Sequence, residues 1–423
     1  MAKERRDSKK RILNRGEYQK SDGRYMYRYT DAVGETRFIY SWTLTNSDRT
    51  PKGKTPGPCL RDLEKKIAKD IQDGIDTHTA DKATLNDYFE MYLDRKAKLK
   101  PTTRRNYRNN YEVYIRNRIG SRAISNIRYS DIKKCYCNIL DEHGISVQSL
   151  KYINAVVSPV FGLAVKDNLI RTNPASGVIS EIKNERECTV QKRHALTVDQ
   201  QNAFMDFVDS SKIYRKWKLM FVILLGTGCR IGELAALTWD DCDFSENVIH
   251  INRSYAYYAD ERTGEYKSSL LPPKTKSGIR TIPMFRGVRE ALLKERVRQM
   301  RDGFCTTEID GVSGFIIFGR SGKLIPPARV SDTMHRLEQA YNKKEVILAS
   351  KENRTPVLLP SLTPHVLRHT FCTRLCESGM NIKVIQEVMG HANISVTMDI
   401  YNSATTEFKK ASFEGVDGMI RVC

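Results

Sequence analysis

The chain has 423 residues, and 70 Lys and Arg against 50 Asp and Glu give it a formal charge of +20, which attracts polyanions and makes nucleic acid the leading partner, although charge alone fits a generic basic protein such as a ribosome-associated factor about equally well. At 40% hydrophobic and 28% charged it is neither disordered nor collagenous, and its length predicts several domains. The longest apolar run, Leu219 to Leu225, is too short to span a membrane, MAKERRDSKKR lacks the apolar core of a secretory signal, and ten cysteines without a CxxC pair argue against a zinc framework or disulfide scaffold and for a reducing, cytoplasmic compartment.

The first module runs over about residues 1–76. KRILNRGEYQ, RYMYRYT and TRFIYSWTL are rich in Tyr, Phe, Ile and Trp, and DAVGE between the last two is a hairpin turn, so a three-stranded antiparallel sheet is expected. After the Pro/Gly loop TPKGKTPGPC, Leu60, Leu63, Ile67 and Ile71 fall at helical spacing, ended by Gly74. One helix covers one sheet face; the other shows Arg24, Arg28, Tyr40 and Trp42, which suit a DNA groove or, on the plainer reading, a solvated strand face.

A linker around Asp76 to Ala83 leads to an all-helical module over about 84–180. From Asp94 to Arg128, eleven basic residues face two acidic ones. Tyr107, Tyr111, Tyr114 and Ile115 form a stripe with Arg104, Arg105, Arg108, Arg116 and Arg118 around it, which predicts a helical bundle with a cationic outer surface. NPASG and the polar stretch to Arg193 read as the next linker.

The third module, about 194–423, is mainly helical. HALTVDQQNAFMDFV, YRKWKLMFVILLGTG and RIGELAALTW are expected helices, VIHINRSYAYY, SSLLPPKTKSG and IRTIPM one small antiparallel sheet with a turn at Ser277-Gly278, and helices return from Arg286 and after Pro327. The fold class is therefore α+β multidomain: a three-stranded sheet plus helix, a helical bundle, and a mainly helical domain with a small antiparallel sheet.

Chemistry-bearing residues concentrate in that third module. Arg230 follows a glycine-rich turn at a helix start, where anions are favoured. His365 and Arg368 share a helical face at i and i+3, and MGHANISVTMDIY adds His391 and Tyr401. Singly, each has a plain structural reading: a cap for Arg230, a semi-buried histidine for His365, a turn residue for His391 and a core aromatic for Tyr401.

In their joint order, TGCRIGEL with Arg230 and Glu233, KTKSGIRTIP with Lys276, HVLRH with His365 and Arg368, MGH with His391 and DIY with Tyr401, the chain resembles the tyrosine recombinase (phage integrase) family, and within it the integrases of conjugative transposons. Lys274 is the rival of Lys276, and the turn favours Lys276. The resemblance covers nearly the whole chain and implies a site-specific DNA recombinase that cuts and rejoins strands through a 3′-phosphotyrosine on Tyr401. Two guanidiniums, Arg230 and Arg368, suit the charge that builds on the non-bridging phosphate oxygens. His365 is the proton acceptor for Tyr401, Lys276 the general acid for the leaving 5′-oxygen, His391 a phosphate hydrogen-bond donor, and Glu233 a residue that orients Lys276 or a histidine.

The resemblance further implies a clamp of the second and third modules around core-site DNA, a homotetramer on double-stranded DNA, separate arm sites for the first module, and an excision factor and a DNA-bending protein as accessory partners. Lys20, Arg24, Arg28, Tyr40, Trp42 and Lys54 are then arm-contact candidates, and Arg104, Arg105 and Arg108 core-site candidates. No metal and no cofactor are expected, nor ATP, because the phosphotyrosine stores the bond energy. A membrane partner is not expected, and the compartment is the bacterial cytoplasm. Phe408, Phe413, Val416, Met419 and Ile420 make the segment after Tyr401 apolar enough to dock on a neighbouring protomer or to pack in cis. The rival readings are a type IB-like topoisomerase and a catalytically inactive DNA-binding regulator.

Overall fold

In the run YMYRYT, alternation sends Tyr25, Tyr27 and Tyr29 to one face of a strand and Met26, Arg28 and Thr30 to the other. The computed structural model describes residues 5–32, 34–96, 98–186, 195–260, 263–273 and 275–402. In it, β1 (Glu17–Gln19), β2 (Tyr25–Thr30) and β3 (Thr36–Ser41) form an antiparallel sheet in that order, with Met26 opposite Tyr40 and Tyr27 opposite Ile39. Helix α1 (Leu60–Gln72) covers the Tyr25 face, where Leu13, Tyr25, Leu44 and Leu60 make a small core. Tyr18, Arg28, Phe38 and Tyr40 are exposed on the opposite face.

Beneath α1, two carboxylates lie close together. Glu17 is buried; that burial opposes ionisation, but the Arg61 guanidinium at 3.0 Å and the Asn14 amide at 2.6 Å outweigh it and hold its carboxyl below the usual range. Glu64 then carries the consequence, since burial and the Glu17 charge push it up to about 7.

The stretch expected as a linker at 76–83 is instead helical. Asp76 accepts a hydrogen bond from the Thr79 amide at 3.0 Å and so caps α2 (Thr77–Lys82). Helix α3 (Leu85–Arg95) opens on a reciprocal box in which the Asp87 amide donates to the Thr84 hydroxyl and the Thr84 amide to the Asp87 carboxylate. Helix α4 (Pro101–Tyr111) continues as π-helical turns over Glu112–Gly120, not as one uniform α-helix. Helices α5 (Tyr129–His143) and α6 (Val147–Lys166) follow, and α6 runs through the core with Ile153, Val156, Val157, Val160 and Phe161 buried.

Part of the second expected linker is α7 (Val178–Glu185), because Val178 and Ile182, one turn apart, bury into the same core. Arg171 donates to Asp70 at 2.6 Å and Asp73 at 2.7 Å, which ties the end of α1 to the helices. Met1–Val190 form one unit and Gln191–Cys423 a second.

In the second unit, α8 (Val198–Ser210) packs on the apolar helix α9 (Lys218–Thr227), followed by α10 (Ile231–Ala235). The strands are β4 (Cys242–Asp243), β5 (Val248–Ile251), β6 (Ser254–Ala259), β7 (Tyr266–Leu271) and β8 (Arg280–Pro283). They form two sheets, β4-β5-β8 and β6-β7, where one was expected. The run VIHINRSYAYY breaks at Asn252-Arg253, and there the Arg253 guanidinium donates to Asp241 at 2.5 Å. Helices α11 (Arg286–Asp302), α12 (Pro327–Lys351), α13 (Pro364–Glu377) and α14 (Ile382–Met389) complete the unit, with residues 394–402 also helical. No described helix is long and apolar enough to cross a membrane. Lys274, Arg193 and the apolar segment after Tyr401, from 403 to 423, lie outside the described residues.

The Glu17–Glu64 pair makes a prediction with a definite sign. The folded Glu64 value of about 7 lies above its ordinary 4.5, so Glu64 is neutral in both states at low pH and destabilises the fold as pH rises through that window. Glu64→Gln is expected to raise the thermal midpoint at about pH 8, with the gain gone near pH 4; equal midpoints for both proteins at pH 8 would contradict the assignment.

Candidate active site

The end of one short helix organises the site. Helix α14 stops at Gly390, whose φ of +63° is the left-handed conformation that favours glycine. Three consecutive carbonyls at that end each accept from a different arginine: Val388 from Arg280 Nε at 2.6 Å, Met389 from Arg368 Nη2, and Gly390 from Arg230 Nη2 at 3.3 Å. Carbonyls at a helix C-terminus lack partners within the helix and carry partial negative charge, so cations are drawn to them.

Each arginine arrives for its own local reason. Arg230 is the N-cap residue of α10, its amide donating to Glu233 Oε2 at 2.8 Å and its guanidinium to Glu233 Oε1 at 2.7 Å. Arg368 lies one turn into α13, is 6% exposed, and also donates to the Gly228 carbonyl at 2.5 Å. Gly228, at φ +58°, ends α9, and a Cβ there would lie 2.3 Å from the Phe371 ring. Arg280 opens β8, and its side chain is 5% exposed.

Glu233 is the counter-charge, its side chain 2% exposed. It receives Arg230 on one oxygen and Arg280 Nη2 at 2.9 Å on the other. Burial alone would push its carboxyl up, but the Arg280 bond and charge, with Arg230 behind them, bring it below the usual range. Among the described residues Glu233 is bonded by two arginines rather than by Lys276 or a histidine, and they reach it because α10 and β8 converge there.

The same crowding marks the other groups. Burial first, then the charges of Arg230 and Arg280, lower the Arg368 guanidinium to about 10, still a cation at neutral pH. His391 follows Gly390, and burial with the fields of Arg368, Arg230 and Arg280 brings its imidazole down to about 4, so it is neutral at pH 7. Its Nδ1 lies 2.9 Å from the Thr397 hydroxyl.

Lys276 is exposed in the tight turn Lys276–Gly278. That turn presses on the α14 end, since a Cβ on Gly390 would lie 2.8 Å from the Ser277 carbonyl and 3.0 Å from Arg280 Cδ. His365 is exposed in the first turn of α13, three residues before Arg368. Tyr401 is half-buried on the apolar cluster of Phe371, Leu375, Ile385 and Met389 from α13 and α14. Arg230, Glu233, Arg368 and His391 are thus gathered into one hydrogen-bonded and electrostatic cluster, while Lys276, His365 and Tyr401 are set by turn, helix register and packing on the same elements. Sequence reasoning missed Arg280. The available signal was alternation, since Arg280 shares a strand face with the core residue Ile282.

Two further surfaces were expected. In the first unit, Lys20 lies 4.8 Å from the Tyr40 ring, Arg24 lies 5.5 Å from Tyr40 and 5.6 Å from Trp42, and Lys54 lies 4.9 Å from Trp42. With exposed Arg28 on the same sheet face as Tyr40, all six named residues belong to the face opposite α1 or its margin. Several arginines of the basic stripe in the helical module have partners within it. Arg104 donates to the Leu93 carbonyl at 2.6 Å, Arg108 to Glu90 at 3.1 Å, Arg116 to Glu90 at 2.6 Å and Arg118 to Glu142 at 2.5 Å, because α3 and α5 present acids to that stripe; Arg105 is exposed.

The model described as the phage integrase family matches residues 194–407, the DNA binding domain of Tn916 integrase matches residues 1–71, and the N-terminal SAM-like domain of phage integrases matches residues 84–140. The transposase from transposon Tn1545 of Streptococcus agalactiae serotype V is 34% identical over 414 residues, 98% of this chain and 97% of the relative. The transposase from transposon Tn916 of Enterococcus faecalis has the same identity and coverage. A solved structure of the Tn1549 transposon integrase, in complex with transposon right end DNA, is 30% identical, with a TM-score of 0.67, covering 79% of this chain and 100% of that one.

The effect of burial and the arginine field on His391 is directly measurable. Its folded value of about 4 lies below the ordinary 6.5, so the stability it contributes is present above pH 6.5 and is lost as pH falls through that window to about 4. The His391 ring signals in an NMR titration are expected to move with a midpoint near 4; a midpoint above 6 would mean that neither burial nor the arginines act on it.

Proposed function

The chain belongs to the phage integrase family and is a site-specific tyrosine recombinase related to the integrases of conjugative transposons; from that membership we propose how its own residues do the work. The observation that carries the reading is the cluster of Arg230, Arg280 and Arg368 around one buried carboxylate, with His391 held neutral beside them. Three guanidiniums against one carboxylate leave two positive charges in excess, and a phosphodiester under attack builds a second negative charge on its oxygens.

The Tyr401 hydroxyl attacks the phosphorus of the scissile phosphate, its proton passing to His365. The new Tyr401 O–P bond leaves the DNA 3′ end on the protein as the P–O bond to the 5′-oxygen breaks. Lys276 donates a proton to that leaving oxygen. Arg230 and Arg368 hold the non-bridging oxygens through N–H groups beyond those given to protein acceptors, since each guanidinium has five donors. His391, neutral before the phosphate arrives, donates one hydrogen bond, and the phosphate charge offsets the arginine field around it. Attack by a 5′-hydroxyl of another strand reverses the steps, joins the new strand and frees Tyr401.

Double-stranded DNA is the substrate. Residues 84–180 and 194–423 engage the core site, and residues 1–76 bind a separate arm site through Lys20, Arg24, Arg28, Tyr40, Trp42 and Lys54, a reading supported by the match to the Tn916 integrase DNA binding domain. In the helical module Arg105 is available to phosphates as it stands, while Arg104 and Arg108 must exchange their present partners. Four protomers assemble on the DNA, an excision factor and a DNA-bending protein act as accessories, and the reaction takes place in the bacterial cytoplasm. Neither the relatives nor the family matches support a topoisomerase.

A nicked suicide substrate carrying a cognate core site tests the reading. Wild type is expected to accumulate a covalent protein–DNA adduct and Tyr401→Phe none, while Arg230→Lys keeps DNA affinity but cleaves ~10²–10³-fold more slowly. An adduct with Tyr401→Phe would mean another residue is the nucleophile.

A further inference from the structure

Arg280 stands apart from the other two arginines. Its Nε donates to the Val388 carbonyl at 2.6 Å, its Nη1 to the Gly278 carbonyl at 3.1 Å and its Nη2 to Glu233 at 2.9 Å, so every nitrogen of the guanidinium is committed to a protein acceptor. Arg230, by contrast, is 39% exposed and keeps donors that can turn outward. The three acceptors of Arg280 come from three places: the turn that carries Lys276, the end of α14, and the carboxylate that holds Arg230. Only a planar fork with separated donors spans all three; a lysine ammonium is a single point.

We propose that Arg280 is a positioning residue for the proton delivered to the leaving 5′-oxygen: it holds the Lys276–Gly278 turn against the end of α14 and so sets where the Lys276 ammonium sits. The inference rests on Lys276 being the general acid. Gly278 is two residues from Lys276, and within the turn the Ile279 amide donates to the Lys276 carbonyl at 3.1 Å, so a displaced Gly278 carries Lys276 with it. The Ser277 carbonyl lies close enough to Gly390 that a Cβ there would be 2.8 Å away, which leaves the turn little room on that side. Without Arg280 the Gly278 carbonyl loses the guanidinium that links it to Glu233 and to the Val388 carbonyl, while Arg230 and Arg368 keep their carbonyls on α14.

The test compares cleavage of two substrates, the ordinary phosphodiester and one in which sulfur replaces the 5′-bridging oxygen. With sulfur, Tyr401 attacks the same phosphorus and the P–S bond breaks to release a thiolate, a leaving group stable enough to need no proton. Arg280→Gln is expected to cleave the oxygen substrate ~10²-fold more slowly than wild type yet to come within ~5-fold of it on the sulfur substrate, the pattern of a lost general acid. Arg280→Lys, which keeps a positive charge beside Glu233 and guards against misfolding, is expected to show the same pattern more mildly. Equal slowing on both substrates, or no slowing on either, overturns the proposal. Lys276→Ala is run beside them: if sulfur restores it and not the Arg280 variants, only the inference about Arg280 fails. If sulfur does not restore Lys276→Ala, the general-acid assignment fails and takes the inference with it.

Discussion

The carbonyls of Val388, Met389 and Gly390 are the constraint on which the site depends. They take one donor each from Arg280, Arg368 and Arg230. Two like charges 4 Å apart in a protein environment repel by about 4 kcal/mol, so three guanidiniums do not gather without compensation. The end of α14 supplies partial negative charge in fixed directions, and Glu233 supplies a full one. Neither is sufficient in kind: the carbonyls set direction, and the carboxylate limits the excess to what a phosphate can answer. Removing either partner of such a buried arrangement leaves a charge without its offset.

Backbone geometry makes this possible at two glycines. Gly390 ends α14 in the left-handed conformation and, lacking a Cβ, lets Ser277 and Arg280 approach. Gly228 ends α9 in the same conformation, turns the chain toward Arg230, lets the Phe371 ring pack where a Cβ would lie, and offers its carbonyl to Arg368. The site is therefore built from two helix C-termini and one helix N-cap, with Lys276 on a turn pinned between them. This also explains why one imidazole in the cluster stays neutral: His391 is buried, and the excess positive charge beside it further opposes a proton.

Much of this was legible in the sequence. Alternation in YMYRYT gave the strand faces, and the order of Arg230, Lys276, His365, Arg368, His391 and Tyr401 carried the family resemblance. What was not legible has physical causes. Arg280 lies in a short strand with a plausible solvent face, and nothing local says that β8 delivers it to a carboxylate 47 residues earlier. The partners of Arg104 and Arg108, a carbonyl and a carboxylate, lie on a neighbouring helix, so part of a basic stripe read as open surface is engaged. Asp76 and Val178 look like linker residues until capping and burial are counted across elements.

The +20 charge thus divides into different kinds of use. The aromatic and cationic face of the first sheet and the exposed arginines set affinity and its dependence on salt. The three arginines at the end of α14 contribute through arrangement, and their value lies in where they are held. The measurement that tests this most directly is single-turnover cleavage of a cognate core site by Gly390→Ala, read beside DNA affinity. A methyl group there meets Ser277 and Arg280 and shifts the α14 end, so cleavage is expected to fall ~10²-fold with affinity unchanged, as for a small misplacement of reacting groups. Cleavage at the wild-type rate would contradict the account.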